Sequence, residues 1–314
     1  MLLSAGLGAR LRPLTSVDPK PALTLLHRPI VAYAMDALAQ AGVRHLLVNA
    51  FHLAERLEEV VRAHVPRAVT VEVVRETTLL GTGGGIRNLW GALPDPEEPV
   101  LICNADTLFV PDFGGALEHH RRLDAIATMV VRPDPRAQVY GAIEHDSMGR
   151  VRRLLGTPEH RGRLSVAMYT GAQILAPRAI RELPTEGCII RQSYRRWVDV
   201  GLRVGAFVDR SPWMDLGTPA TLHRANLLLG YQSELRDRFG VSDTHPIHVE
   251  AEVDRRAHLH ECVVGPGARV GAVHLQHCVV LPGATVQSDD ANALIAPGVR
   301  WEAEPIRPRS PWRG

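Results

Sequence analysis

The sequence predicts an α/β protein: a doubly wound, mixed sheet followed by a short left-handed parallel β-helix. Two observations carry this reading. Through the first two thirds of the chain, apolar runs rich in β-branched residues alternate with helical patterns, as expected of strands joined by crossover helices. From Ile247 onward, single small aliphatic residues recur every five or six positions, the signature of hexapeptide coils that complete a core only by stacking.

The elements follow in order. Met1-Leu2-Leu3 opens a first strand, and 43–49 (VRHLLVN), 69–74 (VTVEVV), 99–104 (PVLICN) and 126–131 (IATMVV) read as further strands. Between them, 29–41, 53–64, 84–92 and 113–123 read as helices, the first stopped by Gly42. Residues 219–239 form a helical connection. In the repeat, Val253, Leu259, Val264, Val270, Leu275, Val280 and Val286 are the inward positions, with corners at 266–268, 282–284 and 296–298 where proline and glycine cluster. The expected division is 1–230 for a ligand-binding α/β region, 231–245 for a helical linker, 246–303 for the repeat and 304–314 for a frayed tail.

Composition narrows the partners. The 36 Lys plus Arg nearly balance 34 Asp plus Glu, so no basic field argues for nucleic acid, and a small-molecule partner is expected. Four cysteines (Cys103, Cys188, Cys262, Cys278) lie far apart without CxxC spacing, which excludes a zinc knuckle or a compact disulfide framework and fits the reduced cytoplasm. No stretch approaches the roughly 18 to 20 apolar residues of a membrane span, and the opening is too short for a signal peptide. The expected protein is therefore cytoplasmic, without a membrane partner; a homo-oligomer is compatible with the sequence.

In an α/β sheet the ligand crevice lies beyond the carboxyl ends of the strands. The segments SAGLGARLRPLT, ETTLLGTGGG and NADT each follow a strand, so they are expected to converge. In the first, Gly6 and Gly8 let backbone approach phosphate, Arg10 and Arg12 offer fixed donors, and Lys20, the one lysine of the chain, offers a compact mobile charge. The segment is neither of two common phosphate motifs: Leu11 stands where a dinucleotide fingerprint needs its third glycine, and no Gly-Lys-Ser/Thr is present.

AGLGARLRPLTSVDPKP, residues 5–21, resembles the signature of the sugar-1-phosphate nucleotidyltransferases, and WMDLGTP at 213–219 followed by Ala225-Asn226 is similar to a second motif of that family. The resemblance covers about residues 1–230, and a hexapeptide tail is its common companion. It implies a Rossmann-like nucleotidyltransferase fold and transfer of a nucleotidyl group from a nucleoside triphosphate to a sugar 1-phosphate, with release of pyrophosphate. GTP with mannose 1-phosphate is the first expectation, and UTP or another nucleotide with a different sugar phosphate the alternative.

The same resemblance implies residue roles. Arg10 would hold the departing end of the triphosphate and Lys20 would neutralise charge during attack. Ala5, Gly6 and Gly8 would line the nucleotide, with Glu76, Gly81 and Gly84 reading its base. Asp106 and Asp215 would hold Mg²⁺, which prefers hard oxygen ligands; Thr170 and Gly171 would line the sugar, although a Thr-Gly pair also serves in β-bulges. Apart from the resemblance, Thr218 and Pro219 read as the N-cap and first residue of a helix.

This chain departs from the family pattern in three places. Ala105 precedes Asp106 where the family usually has glycine. Gly156-Thr157-Pro158-Glu159-His160 stands in place of Glu-Lys-Pro, leaving Arg161 or Arg163 as substitutes for the lost lysine. The first strand is shorter than usual, which leads to the expectation of a start upstream of Met1. Two rival readings remain: a regulatory homologue that binds nucleotide without turnover, and an acyltransferase tail using His258, His260, His274 or His277 as a base.

Overall fold

The computed structural model describes residues 1–93, 97–241 and 244–306; 242–243 of the expected linker and 307–314 of the expected tail lie outside the described residues. The chain divides into two compact units that interleave in sequence. The first comprises Met1–Gly6, Ala34–Ala105 and Pro111–Ser211; the second comprises Leu7–Tyr33, Asp106–Val110 and the chain from Pro212 onward.

The first unit is built on a nine-stranded sheet. Its strands are β1 (Leu2–Leu3), β2 (His45–Ala50), β3 (Thr70–Arg75), β4 (Val100–Asn104), β5 (Ala127–Arg132), β6 (Ala142–His145), β7 (Val151–Leu154), β8 (Ser165–Leu175) and β9 (Val204–Val208). The main path runs β7-β6-β8-β4-β1-β2-β3, with β5 beside β8 and β9 beside β5. β1, β2, β3 and β4 pair in parallel, as do β5 and β9. Their sequences explain this: β5 is buried at every residue, and a strand covered on both faces reads as an unbroken apolar run.

The sheet is mixed because β8 runs antiparallel to β4, β5 and β6. This eleven-residue strand is absent from the strands read in the sequence, since Gly171 in its middle suggests a break. Instead Gly171, at φ +91°, sits where the β8–β5 register shifts between Tyr169 and Gln173. The irregularity falls where β8 exchanges β6 for β4 as its partner, a bend that a bulge supplies and a regular strand does not.

The expected helices are present as Ile30–Gln40 (α1), Ala54–Ala63 (α2), Gly81–Trp90 (α3) and Phe113–Arg122 (α4). Gly42 follows α1 at φ +89°, and Val43 donates to the Leu38 carbonyl (3.0 Å), a glycine-closed helix end. α3 begins three residues earlier than the pattern suggests, because its glycines serve close packing rather than chain breaking. Tyr194 and Trp197 anchor this unit's core: both are fully buried and meet edge to face at 5.3 Å between ring centroids.

In the second unit, a two-stranded antiparallel ribbon joins Thr107–Phe109 to Trp213–Asp215. The helix Pro219–Tyr231 follows, capped as its sequence implies, with the Thr218 hydroxyl accepting from the Thr221 amide and Pro219 in the first turn. The expected helical connection over 219–239 consists of this helix and a second, Ser233–Arg238, with Gln232 in extended backbone between them. The repeat forms short parallel ladders: Val253 pairs with Val270 and Val270 with Val286, Leu259 with Leu275, and Val264 with Val280. Val264, Val270, Leu275, Val280 and Val286 are buried in one cluster against which Val253 and Leu259 pack, so the expected inward set is the observed one. Among the described residues, no helix is long and apolar enough to cross a membrane.

Candidate functional site

The opening loop of the second unit is shaped by Gly8 and Thr15. Gly8 adopts φ +60°, a conformation open to glycine at no steric cost, and its carbonyl accepts the Thr15 hydroxyl (3.0 Å). A side chain at Gly8 would lie 2.7 Å from Thr15 Cγ2 and 3.2 Å from Lys20 Cβ. The glycine therefore makes room for the Lys20 stem.

Lys20 is 6% exposed and donates to Asp106 Oδ2 at 2.9 Å. Asp106 immediately precedes Thr107, and Thr107 lies opposite Asp215 in the ribbon; strand pairing thus brings two carboxylates from distant sequence to one end of one element. Asp215 Oδ1 accepts the Gly217 amide (2.9 Å). Arg10 completes the group: a Cβ on Gly217 would lie 2.5 Å from Arg10 Nη2 and 2.8 Å from Asp215 Oδ1, so guanidinium and carboxylate both flank this glycine. The structure assembles Arg10, Lys20, Asp106 and Asp215 in one unit, with Lys20 against Asp106 and Arg10 beside Asp215.

Asn226, in the second motif, links two of the segments that carry these residues. Its Oδ1 accepts the Leu26 amide (2.8 Å) and its Nδ2 donates to the Leu222 carbonyl (2.9 Å), tying the chain just beyond Lys20 to the helix that follows Asp215. Neither Gly217 nor Asn226 carries a role in the sequence reading, although both lie in quoted motifs. A glycine or amide there says nothing of its neighbour until the chain is folded.

In the first unit, Glu76 is buried and engaged at both oxygens, accepting from Asn49 Nδ2 (2.7 Å) and the Leu80 amide (3.2 Å). Asn49 Oδ1 in turn accepts the Ser4 amide (2.7 Å). The network joins the ends of β1, β2 and β3. Asn49 is missed by the sequence reading; its place at the carboxyl end of an apolar strand is the signal that marks it.

The glycine run is packed against the 184–187 segment. Gly83 donates to the Gly187 carbonyl and Gly187 to the Leu80 carbonyl, each at 2.8 Å. A side chain at Gly81, which has φ +71°, would lie 2.7 Å from Gly187 O; one at Gly84 would run into the Thr185 carbonyl and lie 2.9 Å from Glu186 Cα. These neighbours are backbone and cannot rotate away. Gly84→Ala is therefore expected to cost about 2 to 3 kcal/mol in stability, read from urea unfolding; a loss below about 0.5 kcal/mol contradicts the packing role.

The remaining positions are as follows. Ala5 is buried and Gly6 exposed, with nothing near a side chain built on Gly6. Thr170 is 1% exposed and donates its hydroxyl to the Val130 carbonyl (2.8 Å), while Gly171 lies against the Asn104 side chain. Ala105 is fully buried, so its methyl is accommodated inside. Where Glu-Lys-Pro is missing, Arg153 braces a turn by donating to the Gly156 and Pro158 carbonyls and to Glu144; Arg161 and Arg163 are exposed.

The chain is similar to several known proteins. The chain is 29% identical over 230 residues to UTP–glucose-1-phosphate uridylyltransferase of Synechocystis, covering 69% of this chain and 59% of that one. It is 28% identical over 221 residues to mannose-1-phosphate guanylyltransferase catalytic subunit beta of Danio rerio, covering 70% and 61%. It is 30% identical over 279 residues to mannose-1-phosphate guanylyltransferase of Mycobacterium tuberculosis, covering 86% and 76%. The chain thus spans about three fifths of the length of the first two relatives. The crystal structure of HddC from Yersinia pseudotuberculosis, complexed with GMP-PN, shares the fold, with a TM-score of 0.60 at 22% identity over 72% of this chain and 96% of that one. The sequence model of the family described as Nucleotidyl transferase matches residues 1–231, and the chain belongs to that family.

Proposed function

We propose that this protein transfers a nucleotidyl group from a nucleoside triphosphate to a sugar 1-phosphate, releasing pyrophosphate, with GTP and mannose 1-phosphate as its substrates. The observation that carries the reading is the gathering of Lys20, Arg10, Asp106 and Asp215 around the 107–109/213–215 ribbon. A triphosphate and a sugar phosphate are both polyanions, and their repulsion is the obstacle to reaction; positioned cations are what such a transfer needs. Guanylyltransferase relatives support the choice of GTP, and the uridylyltransferase relative keeps UTP with another sugar phosphate as the competing pair.

Asp106 and Asp215 suit Mg²⁺. Asp106 engages Lys20 through Oδ2 and Asp215 engages the Gly217 amide through Oδ1, so each carboxylate has a second oxygen outside those bonds, a hard donor set. When bound there, the ion supplies charge neutralisation to the triphosphate oxygens. Arg10 steadies the departing pyrophosphate, and Lys20 stabilises charge at the α-phosphorus as the sugar phosphate oxygen attacks in line. No side chain is required as a nucleophile, so the reaction proceeds without a covalent enzyme intermediate and is reversible.

Ala5, Gly6 and Gly8 are assigned to the nucleotide, and Glu76, Gly81 and Gly84 to its base. For the glycines the backbone groups, not the packed Cα faces, make the contact. Thr170 and Gly171 are assigned to the sugar through the backbone of their bulge, since the threonine hydroxyl is spent on Val130. The region over 1–230 is the proposed transferase, and the parallel ladders after it the proposed left-handed β-helix.

The test is a screen of four nucleoside triphosphates against a panel of sugar 1-phosphates with Mg²⁺, following pyrophosphate release. Release should require both substrates and the metal, be fastest with GTP and mannose 1-phosphate, and run backward when pyrophosphate is added to the nucleotide sugar. Absence of release with every pair overturns the reading.

A further inference from the structure

The repeat carries a cluster of chemistry that nucleotidyl transfer does not use. His260, Glu261 and His277 each present one ligand atom, and all three atoms lie within 4.8 Å of one another. His277 Nε2 stands 3.3 Å from Glu261 Oε2, and the His260 and His277 rings are 5.6 Å apart between centroids. We propose that these three side chains form a binding site for a divalent transition metal of the Zn²⁺ class, separate from the Asp106–Asp215 pair.

Three features argue for a site rather than a chance meeting. First, the donors come from successive rungs: His260 ends the strand His258–His260, while His277 directly follows the next parallel strand, His274–Gln276. An ion here would staple one rung to the next.

Second, Glu261 and His277 occupy equivalent corners at φ +49° and +52°, a left-handed conformation that long or bulky side chains rarely adopt. Their side chains are nonetheless largely withdrawn from solvent, at 11% and 15% exposure.

Third, the backbone behind His277 is fixed. Its amide donates to the His260 carbonyl (2.9 Å), and its carbonyl accepts Nε2 of the buried His223 (2.8 Å). Ligands whose backbone is already held lose less freedom on binding a metal.

The donor set selects the metal. Two imidazoles and one carboxylate suit Zn²⁺ and its neighbours, whereas Mg²⁺ and Ca²⁺ prefer oxygen alone. At metal–ligand distances of about 2.0 to 2.2 Å, tetrahedral ligand atoms stand about 3.4 Å apart. The pair at 3.3 Å already meets that spacing, and His260, exposed on its strand, swings in to complete it. Water takes the fourth position.

The experiment loads the intact, chelator-treated chain with Zn²⁺ while Mg²⁺ is kept in excess to occupy oxygen-only sites. Metal content after dialysis and the melting temperature are then measured. Wild type should retain about one Zn²⁺ per chain and melt higher with it. The variants are His260→Ala, Glu261→Asn and His277→Asn, asparagine being chosen because it tolerates the left-handed corner. Each should weaken retention by about tenfold or more while its metal-free circular dichroism matches wild type.

The stacked pair His258 and His274, 4.5 Å apart between ring centroids, is the control. A His258→Ala/His274→Ala variant should keep the metal. The proposal is overturned if wild type retains no Zn²⁺, if the Glu261→Asn/His277→Asn double variant retains it undiminished, or if only the His258/His274 variant loses it.

Discussion

Lys20→Ala is expected to lower turnover by about 10³-fold while leaving the protein folded. The two effects separate because of where the charges lie. The Lys20 side chain is 8% exposed, but its partner Asp106 is 40% exposed, so water can solvate the orphaned carboxylate and the stability cost should stay near 1 kcal/mol. No such substitute exists for the reaction, because a positioned ammonium is charge already in place when the transition state forms. Lys20→Arg should recover little, because the buried ammonium meets Asp106 as a compact charge at 2.9 Å and a guanidinium is a wide planar fork. The loss should fall on kcat, with nucleotide affinity by calorimetry within about tenfold of wild type. Near-normal kcat in Lys20→Ala contradicts the assigned role.

Gly217→Ala should lower kcat/KM by about 100-fold with a stability change below about 1 kcal/mol. Gly217 is not among the residues with positive φ, so alanine can take its backbone without strain. The added methyl would instead intrude on Arg10 Nη2 at 2.5 Å and Asp215 Oδ1 at 2.8 Å. Arg10 is exposed and can swing aside, which is why folding tolerates the change; the displaced guanidinium then leaves the place that the proposed mechanism gives it. Since the shortest approach at Gly217 is to Arg10, Arg10→Ala and Gly217→Ala should be strongly non-additive. Full additivity, or a normal rate in Gly217→Ala, removes Arg10 from the proposed arrangement.

What the sequence made legible follows from what each signal encodes. β2 and β5 are legible because burial on both faces leaves unbroken apolar runs, and the repeat because its inward residues recur at a fixed step; β9, parallel to β5, is not among the strands read from the sequence. β8 was hidden by Gly171, where a bulge and a chain break look alike in one dimension. The glycine run before Ile86 was misplaced for a related reason: glycine weakens a helix by its own propensity, yet here it lets α3 approach the 184–187 backbone. Tertiary contact outweighed propensity.

Among the candidate site residues, Lys20, Arg10, Asp106 and Asp215 could be named because motifs preserve the residues that bear charge. Their convergence is an expectation of the sequence, but the ribbon that carries it is not, since it depends on the pairing of Thr107 with Asp215 across a long separation in sequence. Asn49 and Asn226 escaped notice because they act on backbone and side chains of the protein itself. In the sequence the histidines of the repeat read as separate possible bases; only the stacking of rungs brings His277 to Glu261.

The most direct measurement is pyrophosphate release by the intact chain, compared with that of Asp106→Asn, Asp215→Asn and the double variant, each with Mg²⁺ in excess and both substrates saturating. If the two carboxylates hold one metal, each single change should cost about 10²-fold or more, and the double change little beyond the worse single. Undiminished release by the double variant would contradict the account.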